Sequence, residues 1–104
     1  MYKAKVSFNE RCYTVLKKVP AGRVTTYKAL AHAFGTRAYR AIGNALNKNP
    51  FAPSIPCHRV VNANGKLGGY ADGPSKKIEL LKKEGIEIKD NRVDLRKYEY
   101  LFEN

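Results

Sequence analysis

The chain has 104 residues, 43% hydrophobic and 28% charged, a globular composition that excludes a disordered chain and leaves room for one domain over residues 1–104. Twenty Lys and Arg face nine Asp and Glu, a formal net charge of +11; this points to a polyanionic partner, because each phosphate contact releases condensed counterions. No apolar run could span a membrane, and Met1–Val6 lacks the apolar core and cleavage site of a secretory signal, so the expected location is cytoplasmic, or nucleoid-associated in a prokaryote.

Charge alone leaves a second reading open, in which the lysines only aid solubility. Lys76, Lys77, Lys82, Lys83, Lys89 and Lys97 crowd the C-terminal third and could form a solvated helix face. Cys12 and Cys57 are not expected to form a disulfide in a reducing compartment. Two distant Cys with His32 and His58, and no Cys-x-x-Cys pair, make no plausible metal set, so no metal site is expected.

In chain order, Ser7-Phe8-Asn9-Glu10 reads as a capping box opening a helix. Phe8, Cys12, Val15 and Leu16 recur at helical spacing, which puts Cys12 on the buried face; Pro20 stops the helix soon after Lys18. Ala21-Gly22-Arg23 is a turn, with Thr25 or Thr26 as the next N-cap. A short helix follows from about Tyr27 to Phe34, closed by Gly35, with His32 on its surface or half-buried. A further helix runs from Arg37 to about Asn47. Its apolar face is Ala38, Ala41, Ile42, Ala45 and Leu46, and its polar face is Arg40, Gly43, Asn44 and Asn47. The pair, over about 26–48, is a helix-turn-helix candidate whose small residues allow close approach to nucleic acid, although ordinary helical hairpins share the pattern.

Asn49-Pro50 breaks that helix, and Pro53 and Pro56 keep the chain extended up to Cys57. Residues 62–73 read as a long functional loop, which completes an active-site segment over 49–73. Pro74 or Ser75 opens a helix to about Glu84, stopped by Gly85, with Ile78, Leu80 and Leu81 available for burial. Ile86 and Ile88 could pair with Val93 and Leu95 across Asp90-Asn91 as a small hairpin. The expected fold is mainly α with a small β element, of winged helix-turn-helix type.

A cysteine between proline and histidine has a partner for deprotonation beside it, and the thiolate is the reactive form. The dipeptide alone equally suits a buried Cys that happens to precede His. A cysteine protease would need a longer chain and a second orienting group.

Ile55-Pro56-Cys57-His58-Arg59-Val60-Val61 resembles the active-site signature of the O6-alkylguanine-DNA alkyltransferases, the methylated-DNA–protein-cysteine methyltransferases. The likeness runs from Phe8 to about Gly85 and includes Val24-Thr25-Thr26-Tyr27, Arg40-Ala41-Ile42-Gly43, Asn49-Pro50 and Gly69-Tyr70.

The resemblance implies that Cys57 attacks the alkyl carbon on guanine O6, with His58 drawing the thiol proton through a water and Glu84 orienting the imidazole. From the residues alone, Glu84 would be a solvated helix-end acid. The resemblance further implies that Tyr27 donates toward a guanine ring nitrogen, that Arg40 fills the space left by the extruded nucleotide, and that Asn49 holds the turn before the active-site strand. Thr26, Tyr27, Arg40, Ala41, Gly43 and Asn44 would meet the minor groove with little sequence preference. Cys57 and Val60 would offer backbone carbonyls to the guanine amine. Tyr70 and Ala71 would line the pocket, Ala71 through its backbone N–H, and Arg59 would make structural or surface ion pairs.

The implied function is stoichiometric, irreversible DNA repair by a monomer without a cofactor, acting on duplex DNA that contains O6-alkylguanine. Some members carry Ser where this chain has Ala71, and many carry an additional N-terminal domain, whereas this chain begins almost at the catalytic one. Two alternatives stand beside this reading: an alkyltransferase-like lesion sensor, a class in which another residue replaces the reactive Cys, and a plain helix-turn-helix DNA-binding protein.

Overall fold

The computed structural model describes residues 7–51 and 54–102; Met1–Val6 and the extended reading at Pro53 lie outside them. Helix α1 (Phe8–Leu16) starts at the capping box, where Ser7 Oγ accepts the Glu10 N–H at 3.1 Å. It buries Cys12, Tyr13 and Leu16, so Cys12 is the core thiol its spacing indicates.

Strand β1 (Thr25–Thr26) leads directly into α2 (Tyr27–Ala33). Of the two threonines it is Thr26 that caps, its hydroxyl accepting Ala29 N–H at 3.0 Å. Gly35, at φ 75°, closes α2 as the chain reverses, and the Thr36 N–H returns to the Ala31 carbonyl at 3.0 Å. His32 is exposed.

Helix α3 spans Tyr39–Asn47, two residues later than the expected start. Thr36 Oγ1 takes the Ala38 N–H at 3.1 Å, and the Tyr39 N–H bonds the Arg37 carbonyl at 2.8 Å, so Arg37 and Ala38 belong to the entry turn. Ala38 is therefore exposed, not on the apolar face, which Ile42, Ala45 and Leu46 make and Ala41 only borders. The Tyr13 hydroxyl donates to the Ala45 carbonyl at 2.7 Å, tying α1 across α3. The helix-turn-helix pair thus rests on a core that includes Cys12, Leu16, Leu30, Ile42, Ile55, Cys57 and Val60.

Beyond α3, Asn49 organises the turn twice over: its Oδ1 accepts Phe51 N–H at 2.9 Å and its Nδ2 donates to the Ile55 carbonyl at 2.8 Å. The path expected to be extended up to Cys57 contains a turn, with the Ile55 N–H on the Phe51 carbonyl at 3.1 Å, and Cys57–Arg59 then forms one turn of 3-10 helix, closed by the Arg59 N–H on the Pro56 carbonyl at 2.9 Å. Strand β2 (Val60–Val61) follows and pairs in parallel with β1, Thr25 opposite Val60 and Thr26 opposite Val61. That seam fastens the entry of α2 to the residues just after Cys57.

Helix α4 (Pro74–Lys83) begins with Pro at its first turn and ends with Glu84 as its C-cap. The hairpin of β3 (Ile88–Lys89) and β4 (Arg92–Val93) turns at Asp90 and Asn91, whose φ of 53° and 60° suit the tight turn its strand twist favours. Neither Ile86 nor Leu95 is part of it. Ile86 is buried in the loop before β3, and Leu95 opens α5 (Leu95–Tyr98), because the Asp94 carboxylate caps the Arg96 N–H at 3.0 Å. A second cluster of Val24, Val61, Leu67, Leu81, Ile86 and Val93 lies under this C-terminal part. The architecture is mainly α, as the patterning indicates, with two small sheets, of which the β3–β4 hairpin was expected and the parallel β1–β2 pair was not.

Candidate active site

A cavity of about 490 Å³ opens between the entry of α2, the polar face of α3 and the loop at 69–71. Cys57 lines it with only 5% of its surface exposed, which gives a thiol reachable from solvent yet largely dry. Tyr27, Arg40, Gly43, Asn44, Tyr70 and Ala71 are brought to the same walls. Each arrives by local logic: Tyr27 is the first residue after the Thr26 cap, and the three α3 residues lie on the face opposite Ile42 and Ala45.

Behind Cys57, His58 is 1% exposed and its Nε2 meets Glu84 Oε2 at 2.9 Å. His58 and Glu84 are absent from the cavity wall but are joined to each other, so Glu84 is not the solvated acid that its helix-end position suggests. Arg59 clamps the same carboxylate, Nε to Oε1 at 2.9 Å and Nη2 to Oε2 at 2.6 Å, and its Nη1 donates to the Val19 carbonyl at 2.8 Å. Arg59 makes the structural ion pair expected of it.

Burial works to push the Glu84 carboxyl up, and the hydrogen bonds from Arg59 and His58 outweigh it, leaving it below the ordinary range. Burial pulls the His58 imidazole below its usual 6.5, against the opposing pull of Glu84. With Nε2 engaged, Nδ1 is the ring nitrogen without a hydrogen-bond partner among the described residues.

Lys77 overturns its reading as part of a solvated face. It is wholly buried, and its Nζ donates to the carbonyls of Val60 at 2.7 Å, Gly69 at 3.1 Å and Leu67. Burial pushes the ammonium down to about 8, with the neighbouring Cys57 pulling the other way. A neutral amine has two hydrogens for these three acceptors, so the bonding pattern favours the charged form at neutral pH. Helical spacing was the available signal, since Lys77 stands one turn before the buried Leu81 and on its face, whereas Lys76 and Lys82 are exposed.

Tyr27 and Tyr70 stay protonated. Burial raises Tyr27, and burial with the charges of Cys57 and Asp72 pushes Tyr70 up to about 12. The remaining expected residues sit outside the cavity wall: Thr26 caps α2, Asn49 holds the turn, Ala41 is half-buried, and Val60 is buried in β2 with its carbonyl on Lys77. Tyr39, Leu46, Asn47 and Gly69 complete the wall, of which Tyr39, Leu46 and Gly69 were not expected there.

The sequence model of 6-O-methylguanine DNA methyltransferase, DNA binding domain, matches residues 7–86. The methylated-DNA–protein-cysteine methyltransferase of Metallosphaera sedula is 53% identical over 83 residues, covering 80% of this chain and 52% of that protein. Among solved structures, Mycobacterium tuberculosis OGT in complex with DNA superposes at a TM-score of 0.74 with 38% identity, over 79% of this chain and 51% of that one. S. pombe Atl1, in complex with damaged DNA containing O6-carboxymethylguanine, superposes at 0.80 with 25% identity, over 89% and 94%. The chain spans 30% to 52% of the length of the full-length relatives it matches. With most of its length under that family model, the chain belongs to the family of 6-O-methylguanine DNA methyltransferase DNA-binding domains.

Proposed function

We propose that this chain repairs duplex DNA by taking the alkyl group of an O6-alkylguanine onto Cys57. The observation that carries the reading is the placement of a nearly buried Cys57 on a cavity whose opposite wall is the polar face of α3, with the His58–Glu84 pair directly behind. Arg40 fills the gap as the nucleotide leaves the stack, while Ala41, Gly43 and Asn44 let α3 approach the minor groove.

In the neutral tautomer His58 donates Nε2–H to Glu84, which leaves the Nδ1 lone pair to accept the Cys57 proton through a water. The carboxylate then offsets the imidazolium charge. The sulfur forms its bond to the alkyl carbon as the carbon–O6 bond breaks, and the electron pair leaves with guanine. The Tyr27 hydroxyl, held protonated by burial, donates to the ring nitrogen where negative charge collects. The Cys57 carbonyl holds the exocyclic amine, the Ala71 N–H meets the substrate oxygen, and Tyr70 packs the purine; the Val60 carbonyl, buried on Lys77 and away from the cavity, takes no part. Because a thioether has no easy return to thiolate, one molecule acts once. It acts in the cytoplasm or on the nucleoid, as a monomer and without a cofactor.

The test is intact-protein mass spectrometry after mixing with excess duplex containing O6-methylguanine. A single methyl addition mapped to Cys57 is expected. Tight lesion binding with no added mass would instead support a non-transferring sensor, a reading favoured by the superposition on almost the whole of Atl1.

A pH profile provides a second check. Burial holds His58 neutral to lower pH than in the unfolded chain, so transfer should decline on acidification with a midpoint under 6.5. Below 6.5 the unfolded chain binds the extra proton, so stability should also fall as pH drops through that window. Glu84→Gln removes an influence that raises the imidazole and should move the rate midpoint lower still. Stopped-assay rates from pH 5 to 8 would show it; a flat profile would remove His58 as the proton acceptor.

A further inference from the structure

Beside the reactive cavity lies a second depression of about 390 Å³, lined by Tyr27, Lys28, Tyr39, Asn62 and Ala63. Tyr27 and Tyr39 line both, so their rings stand at the shared rim. Tyr39 is 47% exposed, a large apolar surface to leave in water, and its sequence neighbour Arg40 faces the reactive cavity. The depression offers an aromatic face, an ammonium and a side-chain amide, which match the stacking plane, phosphate and polar edge of one nucleotide.

We infer that this depression seats the nucleotide next to the extruded guanine, with the Tyr39 ring stacked on its base and Lys28 at its phosphate. The inference rests on the repair reading above and extends it to the lesion's neighbour. An extruded guanine stays covalently tied to both neighbours, and the Tyr27–Tyr39 rim is where the reactive cavity borders a depression able to take one of them. Among the described residues, Tyr39 is the large side chain that the two cavities share besides Tyr27. Its ring can stack on any base, so it adds affinity at the lesion without adding sequence preference.

A double-mutant cycle tests this. Duplexes carrying O6-methylguanine, with each flanking base in turn replaced by an abasic site, are compared on the full chain and on Tyr39→Leu and Tyr39→Phe. Both anisotropy-measured affinity and single-turnover transfer are read. Loss of one flanking base should cost the unmodified chain and Tyr39→Phe about tenfold, and Tyr39→Leu less than about twofold. Equal costs in all three chains would overturn the inference, as would Tyr39→Phe behaving like Tyr39→Leu. Coupling found only on removing the base opposite the lesion would also overturn it, by placing the ring on the complementary strand. Affinity still reads the coupling if the chain transfers nothing, so failure of the repair reading is seen separately.

Discussion

Replacing Cys57 by alanine will lower methyl transfer from an O6-methylguanine duplex by about a thousandfold or more, to background, while the duplex is still bound. The expectation follows from the unequal surroundings of the two thiols. Cys12 is fully buried in the core and burial pushes its thiol up to about 11, so it has neither access nor an appreciable thiolate population at neutral pH. Cys57 opens onto a cavity and has a buried imidazole next to it in sequence. Mass spectrometry of the variant, with gel-shift binding to the same duplex, reads both halves. Retained transfer would move the reaction to Cys12 and undo the assignment of the site.

The largest effect on stability is expected at Lys77. Lys77→Met keeps the length and apolar stem of the side chain but strands the carbonyls of Val60, Leu67 and Gly69 without their shared donor. A buried acceptor left unpaired costs about 1–3 kcal/mol, and removing the ammonium returns part of that by sparing its own desolvation. The net loss should be about 2–4 kcal/mol in urea unfolding, or roughly 10–20 °C in melting temperature for a domain of this size. Since Gly69 precedes Tyr70 on the cavity wall, transfer by the folded fraction should slow as well. A loss under about 0.5 kcal/mol would mean that these carbonyls find other donors and that the ammonium is not what holds the loop.

Local signals carried much of this architecture. The Ser7 and Thr26 caps, Pro74 at the start of α4 and the Asp90-Asn91 turn are decided by residues within a few positions of each other, and the structure has each of them. The failures are all non-local or competitive. Two-residue strands have no period of their own, so the pairing of Thr25–Thr26 with Val60–Val61 depends on contacts some 35 positions apart in sequence. Arg37 and Ala38 have helix-forming side chains, but the Thr36 hydroxyl competes for the backbone there. Leu95 alternates correctly for a strand, yet the Asp94 cap draws it into a helix. At the candidate site, Cys57, Tyr27, Arg40, Tyr70 and Ala71 were named from motif resemblance, and the fold gathers them on one cavity. Lys77 shares the buried face of α4 with Leu81 by helical spacing, but the three carbonyls that hold its charge are gathered only by folding.

The C-terminal segment bears on how small a working unit could be. The family model ends at residue 86, but the protein's second core does not: Val93 is buried in it, and Ile88, Leu95 and Tyr98 pack against it. The same segment returns to the start of the helix-turn-helix, where Val24 bonds the Tyr98 carbonyl at 2.9 Å and Tyr100 bonds the Val24 carbonyl at 2.7 Å. Val24 stands immediately before β1, so an excision at the family boundary would strip partners from the residue that leads into both the DNA-facing helices and the Cys57 seam. A portable version of this domain has to carry the chain through at least Tyr100.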